Sequence, residues 1–251
     1  MITEFPLLVF TVLTGIAAGA YVGAALFPKK GEDARAWVFP LVALILVAVG
    51  GLSAMAHLGR PAMVLNVLNN PSASLTMEGM SAGVLAIVAI IDLVLAKRAG
   101  SANRGVRIAG AIVGIVCMCI VTSAYLTSYG NAAWVAAPTW PLFVLGDLAA
   151  GLGLWMVFRG EPDNSLAAVT AAVNVLFAVV LAWQAITFSG LGAAGVACIA
   201  AGAVIAVIAA IAAFMARSGK MAPRTAALLV AVIAIVALIV SRYGFYMASI
   251  L

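Results

Sequence analysis

The 251-residue sequence is 66% hydrophobic and only 8% charged, with a formal net charge of +5. This composition excludes an ordinary soluble globular protein and predicts an all-α, polytopic membrane protein. Nucleic-acid binding is not indicated, because the basic residues lie at the ends of apolar segments and form no patch with aromatic residues. Nothing outside those segments is long enough for a soluble domain, so we interpret residues 1–251 as a single integral membrane domain.

Eight apolar runs are each long enough to cross a bilayer as a helix, which takes about 20 residues. The predicted spans are 6–26, 36–56, 78–96, 106–126, 140–158, 166–188, 191–216 and 223–243. The first and fifth spans begin alike, with Pro-Leu-Leu-Val at residue 6 and Pro-Leu-Phe-Val at residue 141. This similarity is compatible with a weak repeat of residues 1–126 and 138–251, arranged as two four-helix bundles.

The distribution of basic residues predicts the orientation of the spans. Of 13 Lys and Arg residues, only Arg60 and Arg242 fall in or near the connections on the side of the two termini. The other 11 lie at the opposite ends of the spans. Because cytoplasmic connections carry an excess of Lys and Arg, we expect both termini and the connection after His57 to face outward.

Small residues at four-residue spacing occur in two spans. Span 1 carries Gly15, Gly19 and Gly23, a ridge that allows another helix to approach closely. Gly79 and Gly83 in span 3 have the same spacing, and we give them the same interpretation.

The connection between spans 2 and 3, residues 57–77, is the longest in the protein. Pro61 can occupy the first turn of a short helix that continues to about Leu68. Its residues 63–65, 67 and 68 supply apolar surface while the asparagines at 66, 69 and 70 are polar, which fits a segment lying in the membrane interface. We therefore predict that it covers a cavity at the outer surface.

Ionisable residues crowd the outer ends of the spans. They include His57, Arg60, Glu78 and Asp147. An ionisable group costs about 2.5–3.5 kcal/mol at the centre of a spanning helix, so such residues are candidates for function. Asp92, at the inner end of span 3, is interpreted instead as an interfacial charge.

The motif around the single histidine resembles a known family. The residues His-Leu-Gly-Arg-Pro at 57–61, the asparagines at 66 and 69, and Leu-Thr-Met-Glu at 75–78 resemble the membrane anchor subunits of dimethyl sulfoxide reductases. The eight spans, the outward termini and the Pro-Leu start of span 1 are similar as well. The resemblance implies a haem-free anchor in a prokaryotic cytoplasmic membrane, which holds an iron-sulfur subunit and a molybdopterin catalytic subunit and oxidises menaquinol for them.

The resemblance also implies a site. In that family the matching histidine and glutamate are associated with quinol binding and oxidation, which assigns this role to His57 and Glu78. Both side chains can accept the protons released from a quinol. We predict that the quinol site also includes Arg60, Asn66, Thr76 and Asp147.

Two other functions remain compatible with the sequence. A secondary transporter could use Asp147 within the membrane, although transporters usually have a broken helix at the midplane of each half. A purely structural anchor or assembly subunit would use the outer polar residues only for docking.

The sequence also limits the metals that this polypeptide can hold. His57 is the only histidine, whereas a haem held between two histidines needs two imidazoles. Cys117, Cys119 and Cys198 lie inside predicted spans and form no paired motif. We therefore predict that iron-sulfur clusters and molybdopterin belong to the partner subunits only.

The purified complex should accordingly show no haem absorption from this polypeptide. Optical spectra of the oxidised and reduced complex test this expectation. A reducible Soret band and α-band that co-purify with the polypeptide would contradict it.

Overall fold

The computed structural model describes residues 4–29, 34–58, 61–219 and 221–248, without the side chains of residues 61–63 and 67. The described residues form eight long α-helices and one short 3-10 helix, with no strand among them. The helices are α1 (Phe5–Leu26), α2 (Val38–His57), the 3-10 helix (Pro61–Asn69), α3 (Ser74–Ala99), α4 (Arg104–Leu126), α5 (Thr139–Arg159), α6 (Asn164–Gly190), α7 (Val196–Arg217) and α8 (Pro223–Met247). Each long helix is apolar enough to span a membrane, which confirms the predicted all-α, eight-span architecture.

Local sequence explains several helix ends. The side chains of Asn103 and Asp163 accept hydrogen bonds from backbone N–H groups in the first turns of α4 and α6. Gly100 and Gly160 end α3 and α5 with positive φ angles of 63° and 69°, a conformation that glycine adopts without steric cost.

One boundary differs from the prediction in a way that affects the site. Helix α3 begins at Ser74, four residues before the predicted start of span 3. Glu78 therefore lies inside the helix, just beyond its first turn, and does not cap the helix end. The 3-10 helix at Pro61–Asn69 agrees with the short helix predicted in the preceding connection.

The helices pack as two groups of four. In the first group α1 and α3 each contact α2 and α4, and in the second group α5 and α7 each contact α6 and α8. The groups meet mainly through α1 and α5. This pairing matches the predicted two four-helix bundles. The weak sequence repeat of residues 1–126 and 138–251 remains a prediction.

Helices α1 and α5 approach so closely that only glycine fits between them. A Cβ atom on Gly19 would overlap the backbone of Asp147, and one on Gly151 would overlap the backbone of Gly19. A Cβ atom on Gly23 would lie 2.8 Å from the side chain of Trp155. The predicted packing role of the glycine ridge in span 1 is confirmed.

The interpretation of Asp92 as an interfacial charge is wrong. Its side chain is fully buried, with one carboxylate oxygen 3.5 Å from the Arg107 side chain and 3.5 Å from the Tyr21 hydroxyl group. Arg107 also donates a hydrogen bond to the backbone oxygen of Ala36. Asp92 lies on the face of α3 that packs on neighbouring helices, and the partner helices supply the charge that makes its burial possible.

Replacing Gly19 with leucine should destabilise the protein. Overpacking usually costs about 1–3 kcal/mol, and we expect at least the upper value because the obstacle is backbone that cannot rotate away. Thermal unfolding of the purified protein in mild detergent measures the effect. Gly190→Leu is the control, since nothing lies within 4 Å of the Cβ position at Gly190. Equal melting temperatures for the two variants would contradict the packing argument.

Candidate functional site

A cavity of about 480 Å³ lies between α1, α2, α3 and the 3-10 helix. It is at the end of the bundle where α1 begins and α2 ends. Leu65 and Leu68 of the 3-10 helix contribute to its lining, so this segment covers the cavity as predicted. The volume is in the usual range for small-molecule sites, about 300–1,000 Å³.

The cavity opens sideways. Among its lining residues, Ala48 of α2 and Met80 and Gly83 of α3 are exposed at the surface of the helix bundle. Large apolar side chains are exposed beside this opening, including Leu52 of α2 and Val84 of α3, so the cavity opens onto an apolar surface. The lining is almost entirely apolar.

Thr76 and Glu78 of α3 are the polar side chains in the described lining. Their exposed fractions are only 2% and 8%. Among the described residues, no hydrogen bond or ion pair involves the Glu78 carboxyl group. A buried carboxyl group without a partner is costly, and this cost makes Glu78 the strongest candidate for contact with a ligand.

A series of buried hydroxyl groups lies near Glu78. The Tyr125 and Tyr246 hydroxyl groups are hydrogen-bonded to each other, and that of Tyr246 is 3.2 Å from the Thr11 hydroxyl group. Thr11 directly follows Phe10 of α1, which lines the same cavity as Glu78. The cavity is therefore apolar on its open side and has a polar network close to its carboxyl group.

His57 lies beside the cavity but does not line it. The next residue, Leu58, is part of the lining, whereas the His57 Nε2 atom lies 3.3 Å from a carboxylate oxygen of Glu4 at the start of α1. The two side chains are 39% and 20% exposed, so the pair lies at the surface of the protein. The pair links the C-terminal end of α2 to the beginning of α1.

The other predicted site residues are placed differently. Asn66 is exposed on the 3-10 helix and is outside the cavity lining, while Arg60 lies outside the described residues. Asp147 is buried in α5 and forms an ion pair with Arg242 of α8, with 2.8 Å between Oδ1 and the guanidinium nitrogen. The structure thus brings Thr76 and Glu78 together, with His57 at the edge of their cavity. It gives Asn66 and Asp147 no place in the lining.

Three features were missed in the sequence. Glu4 is the acidic residue before span 1, but its pairing with His57 requires the ends of α1 and α2 to meet. The hydroxyl groups of Tyr125 and Tyr246 are apart by 121 positions in the sequence. Gly51 lines the cavity from α2, although no motif surrounds it.

No group of three or more His, Cys, Asp or Glu side chains that could hold a metal ion occurs in the part of the protein that the structure describes.

The fold and the cavity define a class of protein: an integral membrane protein with eight long apolar helices and an apolar cavity that contains a buried carboxyl group. Within that class the protein belongs to the DMSO reductase anchor subunit (DmsC) family, whose family model matches residues 1–250. It is also 28% identical over 188 residues to the C subunit of the anaerobic dimethyl sulfoxide reductase of Escherichia coli (strain K12). That match covers 70% of this protein and 66% of the relative, slightly less than two thirds of its length. The resemblance inferred from the sequence is confirmed.

Asp147→Asn should strongly destabilise the protein, because it leaves the charge of Arg242 buried without its partner. Breaking such a pair typically costs about 3–5 kcal/mol, whereas apolar replacement of both partners is often neutral. Thermal unfolding should therefore show a large loss for Asp147→Asn and recovery in the double variant Asp147→Leu, Arg242→Met. An unchanged melting temperature for the single variant would show that the pair contributes little to stability.

Proposed function

We propose that this anchor subunit binds and oxidises menaquinol in the cavity beside Glu78 and passes the electrons to a docked iron-sulfur subunit. That subunit in turn serves a molybdopterin catalytic subunit, so this polypeptide is the quinol-oxidising part of the complex and not its terminal catalytic part. The supporting observation is a lipid-accessible apolar cavity in which a nine-tenths-buried carboxyl group has no partner among the described residues.

The cavity suits the two parts of a quinol. The ring and tail are apolar, and the ring carries two hydroxyl groups that need hydrogen-bond acceptors. Glu78 can accept the proton of one hydroxyl group, and Thr76 supplies a second oxygen in the same lining.

His57 and Glu4 provide a route for protons to water. Oxidation of one quinol releases two protons and two electrons, so Glu78 must pass on its proton before the next turnover. An imidazole beside the cavity, paired with a partly exposed carboxylate, can receive protons and release them to solvent. The electrons leave to the iron-sulfur subunit.

The distribution of basic residues supports an orientation with the cavity near the outer face. Lys97, Arg159 and Arg217 lie at the opposite end of the bundle from His57 and Glu78. By the positive-inside rule that end faces the cytoplasm, so the protons would be released outside. On this orientation the iron-sulfur and catalytic partners dock on the outer face, where the path from the cavity is shortest.

Glu78→Gln should slow quinol-dependent turnover of the assembled complex by about 100-fold or more, since loss of a general base typically costs about 10²–10⁴-fold. Glutamine retains the size of the side chain but cannot accept the proton. Activity with an artificial reductant that donates directly to the partner subunits should be unchanged. Steady-state rates with a menaquinol analogue and with the dye provide the comparison.

Glu161→Gln is the matched control, because Glu161 is exposed in the connection between α5 and α6 at the opposite end of the bundle. It should leave both activities intact. Near-normal quinol oxidation by an assembled Glu78→Gln complex would return Glu78 to a structural role and leave His57 as the proton acceptor. A purified complex without bound quinone and without quinol activity would favour a purely structural anchor. Purification without an iron-sulfur partner would favour the transporter.

A further inference from the structure

Two glycines of the cavity face open space. Gly51 of α2 and Gly83 of α3 line the cavity, and no described atom lies within 4 Å of the position that a Cβ atom would take at either residue. Gly50, one residue before Gly51, behaves differently, since its Cβ position is 3.0 Å from the Thr14 hydroxyl group. Gly83 and Gly79 therefore do not form the helix-packing motif inferred from their spacing. Their missing side chains widen the cavity.

These glycines lie deeper in the bundle than the carboxyl group. Gly83 follows Glu78 by five residues, which is about 7.5 Å along a helix with a rise of 1.5 Å per residue. Gly51 precedes His57, at the same end of the bundle, by six residues, or about 9 Å. The lining at this depth includes Val47 and Ala86, and none of its described residues is charged.

The carboxyl group and the glycines belong to one cavity, which restricts the chemistry of its occupant. The molecule must present a hydrogen-bonding group to Glu78 and extend an apolar tail of some width toward Gly51 and Gly83. A phospholipid places its polar group at the membrane surface and its acyl tails beyond it, so it would expose only hydrocarbon to Glu78. An isoprenoid tail has a methyl branch in every five-carbon unit and is broader than a straight acyl tail.

We infer that the deeper part of the cavity, between Gly51 and Gly83, binds the first isoprenoid units of a polyprenyl quinol whose ring lies at Glu78. The inference rests on the proposed function and adds to it a basis for substrate selection. The two glycines select quinols that carry an isoprenoid tail, because a side chain at either position would occupy the space that the tail needs.

The test uses Gly83→Leu and Gly51→Leu in the intact purified complex. Rates are measured with a quinol that carries several isoprenoid units and with the corresponding quinol that lacks a tail. Each variant should raise KM for the tailed quinol by about 10-fold or more, because several methylene and methyl groups lose their buried contacts. KM for the quinol without a tail and kcat for both should remain within about twofold of the wild type.

The substitutions should not disturb folding, since leucine favours helix more than glycine does and the added Cβ atom would meet none of the described atoms within 4 Å. Gly190→Leu, at an equally open position outside the cavity, is the control and should change neither KM. If leucine prevents assembly, Gly83→Ala is the alternative variant. It should raise KM for the tailed quinol by a smaller factor.

The outcomes separate this inference from the proposed function. If the wild type oxidises both quinols and the cavity variants change KM for both quinols equally, the glycine positions do not bind the tail. The inference then fails while the proposed function stands. If the wild-type complex oxidises neither quinol while its dye activity is intact, the proposed function fails and the inference falls with it. A selective rise in KM for the tailed quinol supports both.

Discussion

The contact between α1 and α5 at Gly19 and Gly151 determines the rest of the arrangement. Hydrophobic burial drives helices together only weakly in lipid, so close packing of small residues and buried polar pairs must do so. Helix α1 is the most enclosed of the spanning helices, because 83% of its most apolar 18-residue stretch is buried. It contacts α2, α4, α5 and α8. The carboxyl group of Asp147 lies where a Cβ atom on Gly15 would be, so the same contact encloses a charge that Arg242 must balance.

A consequence of this central packing is a looser periphery where the site lies. In the most apolar 18-residue stretch of each helix, only 28% of α2 and 33% of α3 is buried. Helix α2 packs on α1 and helix α3 packs on α4, and the cavity lies between α1, α2 and α3. Thr76 and Glu78 therefore face a space bounded by the rigid α1 on one side and opening on the other to the surface. A buried carboxyl group beside an opening in this less enclosed part of the bundle is a suitable arrangement for binding a lipid-soluble molecule.

Composition and spacing were sufficient to predict the number of helices, the short helix over the cavity and the position of Glu78 at that cavity. They were insufficient wherever the rotation of a helix decides the result. Gly15 and Gly19 have the same spacing as Gly79 and Gly83, yet the first pair touches α5 and the second faces open space. The pattern specifies a face of small residues, whereas the neighbouring helices specify what covers that face. For the same reason Asp92, interpreted as an interfacial charge, is buried against Arg107, and Asp147 turns toward Arg242 and away from the cavity.

The sideways opening of the cavity affects how its occupancy must be described. A ligand that enters between α2 and α3 binds from the bilayer in which it is dissolved. Its concentration in water therefore does not determine occupancy. The relevant variable is its mole fraction among the lipids. Adding detergent or lipid at constant total ligand dilutes that solution and lowers occupancy without altering any contact in the protein. Apparent affinities measured in different detergents or lipids can be compared only after they are expressed as mole fractions of ligand in the lipid or detergent phase.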